Sequence, residues 1–447
     1  MLKFLRILQE LEELIHNRTF KEGDKLPSIR GLAEQYKVSN STVIRALSDL
    51  ERRHLVYATE KSGYYVLKAG AAVQETAGNR IDFATSAPDA TVFPYVDFQH
   101  CINKAIDTYR QDLFLYGTAQ GLPSLLATMQ KQLANYQVFA PLGNIFVVSG
   151  VQQALAILSS LPFPNGKEKV LIEQPGYHLY IEHLLTYNIP VMGIRRTMDG
   201  IDLAELERLF RTENIKFFYT MPRFHNPLGS SYTADEKKSI AALAAKYDVY
   251  LVEDDQLADM ESSSKSDPLY AYGDKSRTIY LKSYAKVIFP GLRIGIAVVP
   301  DSLASAFIKR KRSLDIDSSM LSQGALEIYL KSGMFDRHKE KLRAAYKSRA
   351  QMLQHHLEQA AALPGSGFTP PPPPGYTALL SHIVLDSSRQ ASVIITQAAA
   401  RQVVIEAIDK HYLPWFAPDN ILKLSVANAA GQQIQAGASV LADILKR

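Results

Sequence analysis

Ser283-Tyr284-Ala285-Lys286 follows an apolar run, Thr278 to Leu281, and Pro290-Gly291-Leu292-Arg293 comes soon after. A lysine at the end of such a strand becomes a nucleophile once burial and neighbouring charge lower its pKa. It can then join an aldehyde cofactor as a Schiff base. The hydroxyl of Ser283, three residues before Lys286, and the guanidinium of Arg293, seven after it, could clamp a phosphate. Ser149-Gly150-Val151-Gln152 precedes an apolar helical run, so the N–H groups of Gly150, Val151 and Gln152 stand at a helix N-terminus, which suits an anion. Asn226-Pro227-Leu228-Gly229 supplies an amide, Glu253-Asp254-Asp255 carboxylates, and Glu173-Gln174-Pro175-Gly176-Tyr177 an aromatic ring. Singly, each has a plainer explanation: a turn at Asn226, a helix cap at Asp254, a core ring at Tyr177. His178, His183 and His355-His356 lack paired ligand spacing, so no metal site is expected, and Cys101 reads as a small buried hydrophobe.

A second constellation lies at the N-terminus. Ser39, Asn40, Ser41, Thr42 and Arg45 are short polar and basic side chains opposite Val43, Leu47 and Leu50, the pattern of a helix that reads base edges with one face and packs with the other. Arg30 on the preceding helix can reach a phosphate or a base, and Lys61 in a following hairpin tip can meet phosphates.

The elements that must hold these groups are legible from periodicity. Phe4, Leu5, Leu8, Leu11, Leu14 and Ile15 mark a first helix. Ile29, Leu32, Ala33 and Tyr36 mark a second, begun near Pro27-Ser28, and Val43, Leu47 and Leu50 a third after the turn Val38-Ser39-Asn40. Leu55–Tyr57 and Tyr64–Leu67 then form a hairpin about Ser62-Gly63. Residues 69–80 are small and polar without periodicity, a linker. From Ile81, short apolar strands at Ile145–Val148, Val170–Ile172, Phe217–Tyr219, Val249–Val252 and Thr278–Leu281 alternate with helical stretches, which predicts an α/β domain with a mainly parallel sheet. The tail beyond Arg337 is richer in helical pattern, and Pro370–Pro374 is a stiff spacer before Gly375. A chain of 447 residues, 47% hydrophobic and 21% charged, is ordinary globular material for several domains. No apolar run approaches the roughly 20 residues of a membrane span, and the single cysteine closes no internal disulfide; a cytoplasmic protein away from membranes is expected. Residues 1–68 hold 12 Lys plus Arg and 9 Asp plus Glu, so +3 of the formal +5 lies there, a pointer to nucleic acid. The run Lys309-Arg310-Lys311-Arg312 reads as a solvated helix face.

Gly23-Asp24-Lys25-Leu26-Pro27-Ser28-Ile29-Arg30, Leu32-Ala33, Val38-Ser39, Thr42-Val43 and Ser62-Gly63-Tyr64 resemble the winged helix-turn-helix of the GntR family over residues 1–68. Asn40 stands where that family usually has Arg. Residues 81–447 resemble the aspartate-aminotransferase fold (fold type I) of pyridoxal phosphate (PLP) enzymes, with a large lobe near 116–320 and a small lobe in the remainder. The resemblance implies that Lys286 holds PLP, Asp254 pairs with the pyridinium nitrogen, Asn226 donates to the phenolate oxygen and Tyr177 stacks on the ring. Ser283, Arg293 and the Gly150–Gln152 backbone hold the phosphate, and Tyr116 reaches it across a dimer interface. The combination is similar to the MocR family of transcriptional regulators, through Pro88-Asp89, Phe93-Pro94, Gly333 to His338 and Gly375. That implies a head-to-tail homodimer binding double-stranded promoter DNA and sensing PLP, or PLP joined to a small amine or amino acid.

Two departures bear on activity. Gln256 stands where relatives often have Tyr, and Lys423, in Leu422-Lys423-Leu424-Ser425, stands where amino-acid-handling relatives have Arg for the substrate carboxylate. Lysine is a point charge and cannot form the bidentate fork, so Lys423 is a candidate for an effector carboxylate while efficient transamination is disfavoured. The alternative is a working aminotransferase with an accessory DNA-binding domain.

Overall fold

In the computed structural model the chain divides into two compact units, Met1–Arg80 and Ile81–Arg447. The described residues are 3–17, 19–21, 23–52, 55–59, 62–66, 80–86, 88, 92–261, 263, 266–362, 367–370, 379–429 and 431–446. Lys61, residues 69–79 of the expected linker, Asp89 and Pro371–Gly375 fall outside them.

Unit 1 is three helices and a hairpin: α1 (Lys3–His16), α2 (Ile29–Tyr36), α3 (Asn40–Arg52), β1 (Val56–Thr59) and β2 (Gly63–Val66). Leu8, Leu11, Leu32, Val43, Leu47, Leu50, Val56 and Val66 share one buried cluster, so the apolar stripe of each helix meets the others and the hairpin. Ser28 caps α2, its hydroxyl accepting from Gly31 N at 3.1 Å, and Lys37 ends that helix at φ +51°. The turn is one residue shorter than the sequence implied, because Ser39 accepts from Thr42 N at 3.3 Å and Asn40 already lies in α3. The hairpin pairs antiparallel from Val56↔Val66 to Thr59↔Gly63.

Unit 2 is built on an eight-stranded sheet. Its strands are β4 (Ile145–Val148), β5 (Lys169–Gln174), β6 (Val191–Thr197), β7 (Gly200–Ile201), β8 (Ile215–Thr220), β9 (Tyr250–Asp254), β10 (Thr278–Ser283) and β11 (Gly295–Val298), after a short β3 (Ile81–Asp82) at the entrance to the unit. The order β4-β11-β10-β9-β8-β5-β6-β7 is parallel from β10 through β6, with β11 antiparallel to both its neighbours. Buried clusters on the two faces, one around Phe146, Ile157 and Phe217 and the other around Leu171, Leu206 and Phe218, explain why β8 is buried throughout rather than on alternate residues.

The tail is not only helical. Beyond the 28-residue helix Met334–Ala361 come β12 (Phe368–Thr369), β13 (Leu380–Leu385), β14 (Val403–Val404), β15 (Glu406–Ala407) and β16 (Ile421–Ser425). β12-β13-β16-β15 form a second, antiparallel sheet, and β14 pairs with β3. The run at 309–312 is not a uniformly solvated face either: Lys311 is buried and pairs with Asp315 at 3.2 Å.

Candidate cofactor site and DNA-reading surface

Parallel strands deliver their carboxyl ends to one edge of a sheet, where α/β proteins bind ligands. Here β4 ends at Val148 before Ser149-Gly150, β5 at Gln174 before Tyr177, β8 at Thr220 before Met221 and Asn226, β9 at Asp254 and β10 at Ser283. Lys286 therefore lies three residues past its strand, in the following turn, rather than on it. A cavity of about 500 Å³ opens there, lined by Gly150, Val151, Gln152, Tyr177, Asn226, Asp254, Ser283, Lys286 and Arg293 together.

Lys286 Nζ donates to the Ser86 carbonyl at 2.9 Å. Burial, with a further push from the Lys423 charge, brings its pKa down to about 8, so a useful fraction of the amine is neutral near physiological pH. Asp254 accepts from the Tyr219 hydroxyl at 2.9 Å through Oδ2, while Oδ1 is buried with no partner among the described residues. Burial raises this carboxyl to about 7, against the help of Tyr219. A buried carboxylate oxygen aimed into a cavity without a donor is what a protonated ring nitrogen would satisfy. Tyr177 is raised to about 12, by burial first and then by the Asp254 charge, with Arg293 opposing; the ring thus sits within electrostatic reach of both ends of the site.

The opposite end is shaped for a phosphate. Gly150, at φ +95°, precedes the helix Val151–Ser160, whose first N–H groups have no helical partner. Arg293, at φ +55°, donates from Nη2 to Ser149 O at 3.0 Å, and a Cβ on Gly150 would come within 2.9 Å of that nitrogen. Only glycine therefore admits both the backbone turn and the guanidinium. Ser283 Oγ accepts from Ala285 N at 3.2 Å, which holds the hydroxyl on the cavity side of the turn. Unpartnered Asp254 Oδ1, the Gly150 cradle, Arg293 and a low-pKa lysine form a donor and acceptor set that fits PLP.

The remaining wall carries a charged triad. Lys423, only 5% exposed, pairs with Glu406 at 3.2 Å, and Lys410 holds the same carboxylate. Burial lowers the pKa of Lys423 against the pull of Glu406, and burial of Glu406 is outweighed by the two lysines. Lys423 is thus an interior cation with a partner. Gln256 lines the cavity with its amide 3.8 Å from Met221 Sδ. His178 is another lining residue; among the described residues no group of three His, Cys, Asp or Glu could hold a metal. Glu406, Lys410, Met221 and the segment Ala84–Ser86 had no recognisable spacing in the sequence; only the fold brings them to the cavity.

Tyr116 does not line it. The residue is 82% exposed, beside exposed Phe114 and Leu115, and its neighbour Gly117 is bonded through its N–H to Asp317 in the segment that bears exposed Ile316 and Leu321. In unit 1, Arg30, Ser39, Asn40, Ser41 and Arg45 are exposed and Thr42 half-buried. Ser39 is bonded to the hydroxyls of Ser41 at 2.8 Å and Thr42 at 2.9 Å, so it organises the start of α3 as well as facing solvent. The Arg45 guanidinium lies 4.2 Å from the Phe4 ring centroid, a cation–π contact that orients it. Tyr57 and Tyr65 stack on the hairpin at 5.7 Å.

Residues 81–441 match the family described as "Aminotransferase class I and II". The chain belongs to that family. Residues 4–66 match "Bacterial regulatory proteins, gntR family", so a GntR-type helix-turn-helix is fused to the class I and II aminotransferase domain. A relative from Bacillus subtilis (strain 168), named "Uncharacterized HTH-type transcriptional regulator YcxD", is 53% identical over 441 residues, 99% of each chain. The "Probable rhizopine catabolism regulatory protein MocR" of Rhizobium meliloti is 26% identical over 361 residues, 74% of this chain and 72% of that one. Kynurenine aminotransferase of Pyrococcus horikoshii, solved in complex with PMP, has the same fold as unit 2 at a TM-score of 0.75, with 24% identity over 83% of this chain and 91% of that one. LysN of Thermus thermophilus, complexed with N-(5'-phosphopyridoxyl)-L-leucine, gives 0.74, 22%, 84% and 94%. The Bacillus relative aligns across both units and the solved aminotransferases share the fold of the larger one; no described helix is long and apolar enough to cross a membrane.

Proposed function

We propose that this protein is a cytoplasmic transcriptional regulator that binds promoter DNA through unit 1 and holds PLP in unit 2, where PLP or its adduct with a small amine or amino acid is the signal. The observation that carries the reading is one cavity lined by Lys286, Asp254, Asn226 and Arg293 together, in a chain whose first unit matches the GntR family. PLP supplies an electrophilic aldehyde carbon and, through its protonated ring, an electron sink. Lys286 would be the amine that meets that carbon, and Asp254 would keep a proton on the ring nitrogen. Asn226 would donate to the phenolate oxygen and Tyr177 would lie against the ring. Ser283, Arg293 and the backbone of Gly150, Val151 and Gln152 would hold the phosphate.

The apolar exposure at Phe114–Tyr116 and at Ile316 and Leu321 is of the kind a subunit interface covers, and it supports a head-to-tail homodimer in which Tyr116 serves the partner's phosphate. Two modest basic readers acting together would then hold DNA. Lys423, with Lys410 and Glu406, is the candidate effector end. The intact Lys286–Asp254 pair also favours some transaminase capacity; steady turnover with an amino donor and a keto acceptor, without selective DNA binding, would shift the reading to an enzyme.

Selection of bound fragments from genomic DNA by the PLP-loaded protein tests the regulatory reading. One recurrent motif is expected, and Arg45→Ala should lower affinity for it by about 1–3 kcal/mol and relax selectivity at one position. Arg30→Ala should weaken all sequences alike if it contacts phosphate. Unselective, steeply salt-dependent binding by the unaltered protein would contradict the reading.

A further inference from the structure

The phosphate end of the cavity is held from behind by side chains that do not line it. The helix Asp301–Asp315 ends at Asp315, whose Oδ2 accepts from the Ser149 hydroxyl at 2.9 Å and from Gln153 Nε2 at 2.6 Å. Gln153 Oε1 in turn accepts from Ser149 N at 2.8 Å, which closes a ring of hydrogen bonds around the residue before Gly150. The Ser149 carbonyl is the acceptor of Arg293 Nη2, so one residue places both Gly150 and the guanidinium. Asp315 is itself paired: Lys311, a fully buried lysine of the same helix, meets its Oδ1 at 3.2 Å.

Two features give this helix end a purpose. Ser149 has one hydroxyl proton, and the Asp315 carboxylate is a stronger acceptor than the Ser318 hydroxyl oxygen 3.2 Å away. With the proton directed at Asp315, none is left for a ligand phosphate, whose oxygens are acceptors. Ser149 therefore sets the loop and does not bind the ligand through its side chain. The second feature is Ile316, at φ +55° and ψ −65° with its side chain exposed. A β-branched residue at positive φ is disfavoured and persists only where its neighbours impose it. Asp315 is fixed on one side of it by Lys311, Ser149 and Gln153. On the other side the Asp317 carboxylate holds the N–H of Gly117, a glycine whose Cβ would run into Met320.

We propose that Asp315 is a positioning residue for the cofactor phosphate: through Ser149 and Gln153 it holds the Gly150–Gln152 backbone and Arg293 in the arrangement that selects a phosphorylated cofactor over its unphosphorylated form. This deepens the PLP reading and rests on it. The aldehyde end, at Lys286, Asp254 and Asn226, follows other strands, so a loosened loop weakens the phosphate end alone. Lys311 completes the arrangement without lining the cavity. A bare carboxylate behind the loop would repel a phosphate dianion, whereas one paired with a buried ammonium holds the loop at no net charge.

The test is a titration of cofactor-free full-length protein with PLP and, separately, with pyridoxal, followed by the Schiff-base absorbance. Asp315→Asn should weaken PLP by about tenfold, the loss of roughly one hydrogen bond to a charged group, and leave pyridoxal within about twofold. Inorganic phosphate should compete with PLP about tenfold less well in this variant than in the unaltered protein. Gln153→Met keeps the buried Lys311–Asp315 pair and should show the same selective loss, and the two substitutions together should cost little more than either, because they break one linkage. Lys311→Met combined with Asp315→Asn leaves no unpaired buried ammonium and should keep the loss confined to PLP. A merely structural role for Asp315 would weaken PLP and pyridoxal alike and lower the melting temperature with them, which would overturn the proposal. Unchanged PLP affinity in Gln153→Met and Asp315→Asn would overturn it too. No Schiff-base band with either compound in the unaltered protein would overturn the cofactor reading, and this inference with it.

Discussion

Lys286→Ala should fold and yet hold PLP on the order of a hundredfold more weakly, about 2.7 kcal/mol, with no Schiff-base absorbance. The lysine is the amine in the cavity whose pKa burial has brought to about 8, and its replacement removes the only covalent anchor assigned to the cofactor. The remaining contacts, from Arg293, the Gly150–Gln152 backbone and Asp254, belong to other strands and turns and stay in place. Lys286→Arg is the control: it keeps a cation near the Ser86 carbonyl but offers no nucleophilic amine. Both variants should lose the band while their thermal unfolding stays close to that of the unaltered protein. Full cofactor binding with an intact band in Lys286→Ala would remove Lys286 from its assigned role.

Asp254→Asn should cost cofactor affinity by about 1.5–3 kcal/mol, the value of a hydrogen bond to a charged group, and it should change the pH dependence of the cofactor-free protein in the opposite sense. Burial holds the Asp254 carboxyl at about 7 in the folded chain, whereas an exposed aspartate titrates near about 3.9. Below about pH 4 both states carry the proton and the residue contributes nothing. Between about pH 4 and 7 the folded state keeps a proton that the unfolded state has released, so stability falls as pH rises; above about 7 the cost stays constant. Cofactor-free Asp254→Asn lacks this penalty, so its melting temperature should gain on that of the unaltered protein from about pH 4 to 7 and then run parallel. With PLP bound, a donor to Oδ1 makes the ionised carboxylate favourable, and the unaltered protein should become the more stable of the two at neutral pH. A melting-temperature difference that ignores both pH and PLP would contradict a buried, cofactor-facing Asp254.

Much of this site is legible in the sequence, because its chemistry is carried by short motifs at strand ends. Ser283 to Lys286, Asn226-Pro227 and Asp254 each follow an apolar run, and a parallel sheet places such positions on one edge. The helix-turn-helix is equally legible, since Leu32, Val43, Leu47 and Leu50 repeat at helical spacing around a capped start. The small lobe is less so. β12 to β15 are strands of two to six residues between helices, too short for alternation to register, and the tail therefore reads as helical. Glu406 and Lys410 follow no motif, and their relation to Lys423 exists only because β15 pairs with β16. Ser86 is hidden for a different reason: it meets Lys286 through a main-chain carbonyl, which no side-chain pattern announces. Lys423 is visible as a departure, but its burial and its partner are not, and they turn an apparent loss of an arginine fork into a shared-charge wall.

The measurement that bears most directly on this reading is DNA affinity of the full-length protein for its selected fragment in three states: cofactor-free, PLP-loaded, and PLP-loaded with an amine that shifts the Schiff-base band. Coupling between two sites is a free energy, commonly about 1–3 kcal/mol or roughly 5–150-fold in affinity. The unaltered protein should change affinity by a factor in that range between at least two of the states, and Lys286→Ala should bind with one affinity in all three. Equal affinities for the unaltered protein in every state, or a response that survives in Lys286→Ala, would contradict control of DNA binding through the lysine.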